Sequence, residues 1–337
     1  MKRLTLLLCI VPFVTTAQKF AFEQGNKKID LYYGNALITS FIYFDSLFKT
    51  AYYPIATVSG TRITRDYPYV RKAGERTDHP HHVGLFFAHQ SVNGHDFWNM
   101  STAIAPAKRK NYGTEKFVSV KTAIKKNTAI INSQADWKLN DGGNVLREKT
   151  EMRFSVSGSD LIIDRTTELK ALTDVTFKDE KDALLGLRVA RELELPVAGK
   201  DRFVLENGKE SEPMENDITK VTGNYKNSES VIGEAVWGKK ATWVSLDGKL
   251  HGKDVSVAII DHPRNVEYPS YWHARGYGLF AVNPLGKQVF TEGKASLDLF
   301  LKKGESTTFR YRIVIREGSQ LTPAELNQHL KTISEIK

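Results

Sequence analysis

Residues 144–157 constrain the fold of this chain more than any other stretch. Val145, Arg147, Lys149, Glu151, Arg153 and Ser155 share one parity; Leu146, Glu148, Thr150, Met152, Phe154 and Val156 share the other. Alternation of this length belongs to a half-buried strand, because successive side chains leave a pleated backbone on opposite faces. Glu148 is the one acid on the apolar face. Comparable runs fall at 115–126, 128–139, 160–170, 172–178, 184–195, 241–247, 254–260, 277–282, 294–302 and 305–316. Shorter ones occupy 19–24, 28–33, 35–44 and 52–60, divided by turn signals such as Gly25-Asn26, Gly34-Asn35 and Asp141-Gly142-Gly143. Helical spacing is clear in one place. Thr322-Pro323-Ala324-Glu325 reads as a capping box with proline in the first turn, and Leu326, Leu330 and Ile333 follow at i, i+4 and i+7. The lack of strand–helix alternation argues against a parallel α/β sheet. The expectation is all-β: one large antiparallel β-sandwich domain over 18–337 with a C-terminal helix. Residues 199–240, rich in Gly, Asn and Glu, read as a long loop or lid.

The first 17 residues read as a secretory leader. Lys2 and Arg3 precede an apolar run from Leu4 to Val14, and Thr15-Thr16-Ala17 supplies small residues for cleavage near Ala17. The expected location is the periplasm or the exterior. That run is too short to span a bilayer, and no later run is long enough. Cys9, the only cysteine, falls inside the leader, so the mature chain offers no disulfide, thiol nucleophile or thiolate metal site. The net charge of +9 becomes +7 once Lys2 and Arg3 are removed. Its positive residues are scattered, as in Lys108-Arg109-Lys110. With export, this argues against a nucleic-acid partner and leaves room for an acidic glycan.

Candidate chemistry concentrates in Asp78–Trp98, which holds five of the nine histidines. Imidazole donates, accepts, carries charge or binds metal near neutral pH. Pro80 predicts an extended His79. His79 and His81 then share a face, while His82 looks the other way. A strand over 82–89, apolar on both faces, places its histidines at the two ends. Asn93-Gly94 predicts a tight turn that returns His95 and Asp96 toward His89, where Asp96 could orient an imidazole. Asp261-His262-Pro263 repeats Asp78-His79-Pro80. After it comes an aromatic loop with Tyr268, Tyr271, Trp272, His273, Arg275 and Tyr277. The two stretches are expected to sit in facing sheets and converge on one cleft.

The motifs Asp78-His79-Pro80-His81-His82-Val83-Gly84-Leu85, Val92-Asn93-Gly94-His95-Asp96-Phe97-Trp98, Tyr271-Trp272-His273-Ala274-Arg275 and Val282-Asn283-Pro284-Leu285-Gly286 resemble a bacterial family of secreted proteins labelled methane oxygenase PmoA or PmoA-like. The resemblance covers most of the mature chain. It implies a sandwich of the galactose-mutarotase kind, common in exported carbohydrate enzymes. In those, sugar lies across a concave sheet, with histidines and a carboxylate as acid and base.

The expectation is a carbohydrate-active enzyme (hydrolase, lyase or epimerase) acting on a small molecule or oligosaccharide by histidine acid–base chemistry. His81, His82, His89 and His273 are the expected catalytic residues. His79, Asp96, Trp98, Arg188, His262, Trp272 and Arg275 would bind substrate, the arginines holding a carboxylate or an enolate-like oxygen. Asp78, Asp96, Glu148 and Asp261 are the candidate carboxylates. A non-catalytic glycan-binding protein is the alternative. A metal-dependent oxidoreductase built on His79-x-His81 is a third reading, although no zinc signature is present and no cofactor is expected.

Overall fold

The structure, a computed structural model, describes residues 19–335; the leader read at 1–17 lies outside the described residues. Two eight-stranded sheets dominate it. The first runs in the order Phe20–Gly25, Lys28–Tyr33, Ala36–Ile42, Ala51–Ile55, Leu85–His89, Ala183–Arg188, Leu279–Asn283 and Tyr271–Ala274. The second runs Asn224–Asn227, Trp243–Leu250, Lys253–Asp261, Ser306–Glu317, Asp160–Ala171, Asn144–Ser157, Thr128–Leu139 and Gly113–Lys125. Every pairing within them is antiparallel. The chain is therefore the expected antiparallel β-sandwich, with the expected helix at Pro323–Ser334.

One apolar cluster joins the sheets. Leu31, Phe41, Phe87, Leu185 and Phe280 of the first meet Ile131, Phe154, Leu161, Phe309 and Ile313 of the second. Each such side chain contributes roughly 1.5–3 kcal/mol by leaving water. Glu148 lies on this inner side, where its parity puts it. Arg165 Nη2, the Thr150 hydroxyl and Trp137 Nε1 all donate to it, at 3.0, 2.6 and 3.0 Å. It is a satisfied buried acid with no imidazole among its hydrogen-bond partners. The helix covers the outer face of the second sheet, where Leu326 and Ile333 pack on Ala258, Ile260 and Val314.

Several expectations change; the 184–195 and 52–60 runs, for instance, are strands only to Arg188 and Ile55. Residues 199–240 are not one free loop. Asn224–Asn227 forms the edge strand of the second sheet, Lys200–Asp201 pairs with Met214–Glu215, and Asn216 is tied to Arg191 and Val197. The 294–302 run contributes only Leu299–Leu301, paired with Val175–Phe177. The strand expected over 82–89 begins at Leu85, because the preceding residues turn.

Candidate functional site

His79 is not extended. Its φ is +43°, Gly84 follows at +54°, and the His82 amide closes a turn onto the His79 carbonyl at 3.0 Å. Arg65, 1% exposed, explains this. Its guanidinium donates to the carbonyls of Asp78, His79 and His82 at 2.9, 2.9 and 3.3 Å and to the Asp78 carboxylate at 2.6 Å. The preference that Pro80 imposes on its neighbour yields to four bonds from a buried cation whose one further acceptor, the Arg76 carbonyl, lies at 3.4 Å. Gly84 is needed here, since a Cβ would lie 2.1 Å from the Tyr52 carbonyl.

The turn gathers the three histidines instead of alternating them. The His79 ring stacks on His82 at 4.9 Å and on Tyr277 at 4.9 Å, while His81 stands edge-on to His82 at 4.3 Å. His82 stacks in turn on Phe86 at 5.7 Å. Asp78 anchors the group. It accepts from Arg65 and Arg188, each at 2.6 Å, and from His79 Nδ1 at 2.5 Å. Burial works to raise the Asp78 carboxyl, but Arg188, His79 and Arg65 outweigh it and hold it well below the usual range.

The three imidazoles have different prospects. His82 Nε2 accepts from Trp98 Nε1 at 3.2 Å, and an indole can only donate, so this nitrogen carries no proton. Burial, with His81 and Arg188 nearby, holds His82 neutral. His81 is also held neutral by burial and by Lys49, and its Nε2 has no partner. It lines a cavity of about 180 Å³ with Ser46, Tyr69, Met100 and Thr102. His79, with 41% of its side chain exposed, alone reaches solvent with Nδ1 held by a carboxylate.

Cross-strand register locates His273. Phe86 pairs with Gly186, Gly186 with Ala281, and Ala281 with His273, so these four form one row across the first sheet. Phe86 and Ala281 belong to an apolar cluster separate from the intersheet core, so the row lies on the outer face. The histidine turn caps one end of the row and His273 forms the other. His273 Nδ1 donates to the Lys181 carbonyl at 3.2 Å and lies 3.3 Å from Asp182 Oδ1, which leaves Nε2 as the acceptor. Burial, then Lys181 and Arg275, pushes its pKa down to about 3. The Arg275 charge and, more weakly at His273, that of His79 act on both His273 and Asp182.

Several residues expected at the site lie elsewhere. His89 has the inward parity; it is wholly buried, edge-on to Phe177 at 5.4 Å, and accepts from the Ser91 amide at 3.0 Å. Trp272 is likewise inward, donating to the Ala241 carbonyl at 2.9 Å. His262 is buried at the end of the second sheet, where its Nδ1 accepts from the Arg264 amide at 3.0 Å. Asp261 receives Asn265 Nδ2 and the Ser270 amide, each at 2.8 Å. The expected meeting of facing sheets is therefore corrected. The 261–277 stretch crosses between the sheets, and His273 ends in the same sheet as 85–89. Trp98, 1% exposed, supports the histidines from beneath and presents no face for stacking. Asp96 accepts from the Asn99 amide and side chain, each at 2.8 Å, and orients no imidazole. Arg188 is fully buried against Asp78. Among the described residues no group of three or more His, Cys, Asp or Glu is arranged to hold a metal ion. His79 and His81, the candidate metal pair, have rings 5.6 Å apart.

Arg65, Lys49 and Asp182 belong to this region and carry no motif that marks them. Lys49 is buried beneath Trp98, donates to its carbonyl and sits 5.0 Å over the Phe86 ring. Burial, against Glu115 and Asp96, lowers its amine to about 8. Asp182 offered one faint signal, an acid immediately before an apolar run.

The chain belongs to a family of unknown function, DUF6807, whose model matches residues 28–331. A comparison with curated proteins finds none that matches. Among solved structures, the chain is similar to a galactose mutarotase-like protein from Lactobacillus casei at 10% identity, covering 88% of this chain and 100% of that one with a TM-score of 0.36. It is similar to the GH36 α-galactosidase AgaA from Geobacillus stearothermophilus at 11% identity, covering 90% and 41% with a TM-score of 0.38. The galactosidase domain of the α-galactosidase-sucrose kinase AgaSK gives 14%, 88%, 42% and 0.40. The chain spans about two fifths of the length of these α-galactosidases.

Proposed function

We propose that the protein is an exported carbohydrate-active enzyme working by histidine acid–base catalysis on the outer face of the first sheet. One observation carries this reading: two imidazoles, His79 and His273, each have Nδ1 beside a carboxylate, Asp78 Oδ2 at 2.5 Å and Asp182 Oδ1 at 3.3 Å, and lie close enough for their charges to interact. A carboxylate at Nδ1 fixes the tautomer and leaves Nε2 to exchange protons with substrate. With two such units, one can take a proton while the other gives one, as hydrolysis, elimination and epimerisation all require. Tyr277, stacked on His79, brings an aromatic ring to the same place. His82 and Trp98 position His79, and His81 borders the adjoining cavity. His89 has no part in the reaction.

The test is turnover on a panel of poly- and oligosaccharides, followed by new reducing ends, unsaturated products and anomeric or epimeric exchange. His79→Ala and His273→Gln should each lower kcat by about 10²–10⁴-fold while leaving glycan binding. Binding without turnover in the wild type would favour a glycan-binding module. Cell fractionation tests the export: the mature protein should begin near Gln18.

A further inference from the structure

Arg275 is a part-buried guanidinium that the fold holds in place and leaves without an anion. Its amide donates to the Leu279 carbonyl at 2.8 Å and its carbonyl accepts from Gly278 at 3.0 Å, so its backbone is fixed in a turn at the end of the His273 strand. Its side chain lies over Trp237 at 5.6 Å and beside Tyr277 at 5.8 Å. Among the described residues no carboxylate pairs with it and no oxygen accepts from its five N–H groups. The other arginines of this region are committed: Arg65 and Arg188 to Asp78, Arg191 to Glu194. A guanidinium held in place by its backbone and two rings, half-buried, and with no anion of its own is open to one from outside. Two aromatic rings orient its planar fork at no cost in hydrogen bonds.

We propose that Arg275 is the anchor for a sugar carboxylate, so that the substrate is a uronate-bearing glycan. This deepens the acid–base reading and rests on it only for the sugar class. Carboxylate geometry matches the guanidinium fork bidentately and with opposite charge, whereas a single hydroxyl offers neither two parallel acceptor oxygens nor the charge. The assignment also links recognition to chemistry. Arg275 is one of the cations that hold His273 down, with Lys181 beside it and Asp182 and His79 as the other charged groups in reach. A carboxylate on Arg275 cancels part of that field, so His273 becomes a stronger base when the acidic substrate is bound.

The experiment is calorimetric titration with oligosaccharides of glucuronate, galacturonate, mannuronate and guluronate, each beside its carboxyl-reduced counterpart. At least one acid should bind about tenfold or more tighter than its reduced form, as a charged hydrogen-bonded pair implies. Arg275→Gln should erase the difference, and Arg275→Lys, which keeps the charge but loses the fork, should restore part of it. The His273 ring, followed by NMR, should titrate at higher pH with the acid bound and not with the reduced sugar. No preference for any acid, a preference that survives Arg275→Gln, or a preference for sulfated over every carboxylated glycan would overturn the assignment. Preference without turnover would leave the anion site standing and sink the acid–base reading instead.

Discussion

A guanidinium with 1% exposure must find acceptors inside the protein, and Arg65 finds them in the carbonyls of Asp78, His79 and His82 and in the Asp78 carboxylate. That single residue explains why His79 adopts a positive φ and why three histidines stack instead of alternating. Removing it leaves Asp78 with Arg188 and His79 and strips the turn of its donor. Arg65→Met should therefore cost about 3–5 kcal/mol, the usual loss when one member of a buried pair is removed. Urea unfolding measures it, and a loss below about 1 kcal/mol would show that the turn holds itself. The His82–Trp98 bond makes a separate prediction. Trp98→Phe removes the donor that keeps Nε2 unprotonated. His82 should then titrate at higher pH than in the wild type; an unchanged ring titration by NMR would mean that burial alone keeps it neutral. The sequence marks Arg65 only as one charge in a polar loop. Its role depends on a partner 13 residues away, at Asp78.

Strand parity is an element-scale property, and it separates residues that sequence proximity groups together. Phe86 and His89 differ by an odd number of positions, so the strand that points one toward the outer face points the other inward. Asn93 and Gly94 do form the expected turn, with φ of +50° and +78°. Gly84 joins the turn to the strand, and a Cβ there would strike the Tyr52 carbonyl. Gly84→Ala should displace the histidine turn, destabilise the fold by about 1–3 kcal/mol and lower turnover more than a distant substitution of equal cost. The C-terminal helix gives a cleaner case. Thr322 accepts from the Glu325 amide and Glu325 bonds back, so Thr322→Ala should cost about 1 kcal/mol by loosening Leu326 and Ile333. Faster amide exchange confined to that helix is the expected signature, and unchanged exchange would mean that packing alone secures it.

Across the whole molecule, buried histidines make stability depend on pH. His89 and His273 titrate near 3 in the folded chain against an ordinary 6.5, and His81 and His82 lie well below it. Between those values the unfolded chain binds protons that the native one refuses. The histidine contribution is full above about pH 6.5 and falls as pH drops toward the folded values, by about 1.4 kcal/mol per pH unit for each proton, opposed by buried Asp261, pushed up to about 6, and by Glu115, raised, which take up protons in the native chain first. Asp78 adds a further loss only below 3.8, where its unfolded carboxyl protonates first. The urea midpoint should fall steadily from pH 7 to pH 4.5, and His89→Gln should flatten the slope without touching the outer face. A midpoint constant over that range would show that these rings protonate in the native state.

The sequence alone determined the long strands and the class of fold. Alternation marks Thr128–Leu139 and Asn144–Ser157 to the residue, and the capping box marks the helix, because those signals lie within the element they specify. It also drew attention to residues 78–98 as half of a site. Tertiary structure decided which of the candidate residues come together. Register across four strands put His273 in one row with Phe86, a buried arginine bent His79 out of its extended state, and the crossing at 261–277 carried His262 and Trp272 away from the cluster. These choices depend on which side chain finds a partner at long range, and local periodicity carries no record of that.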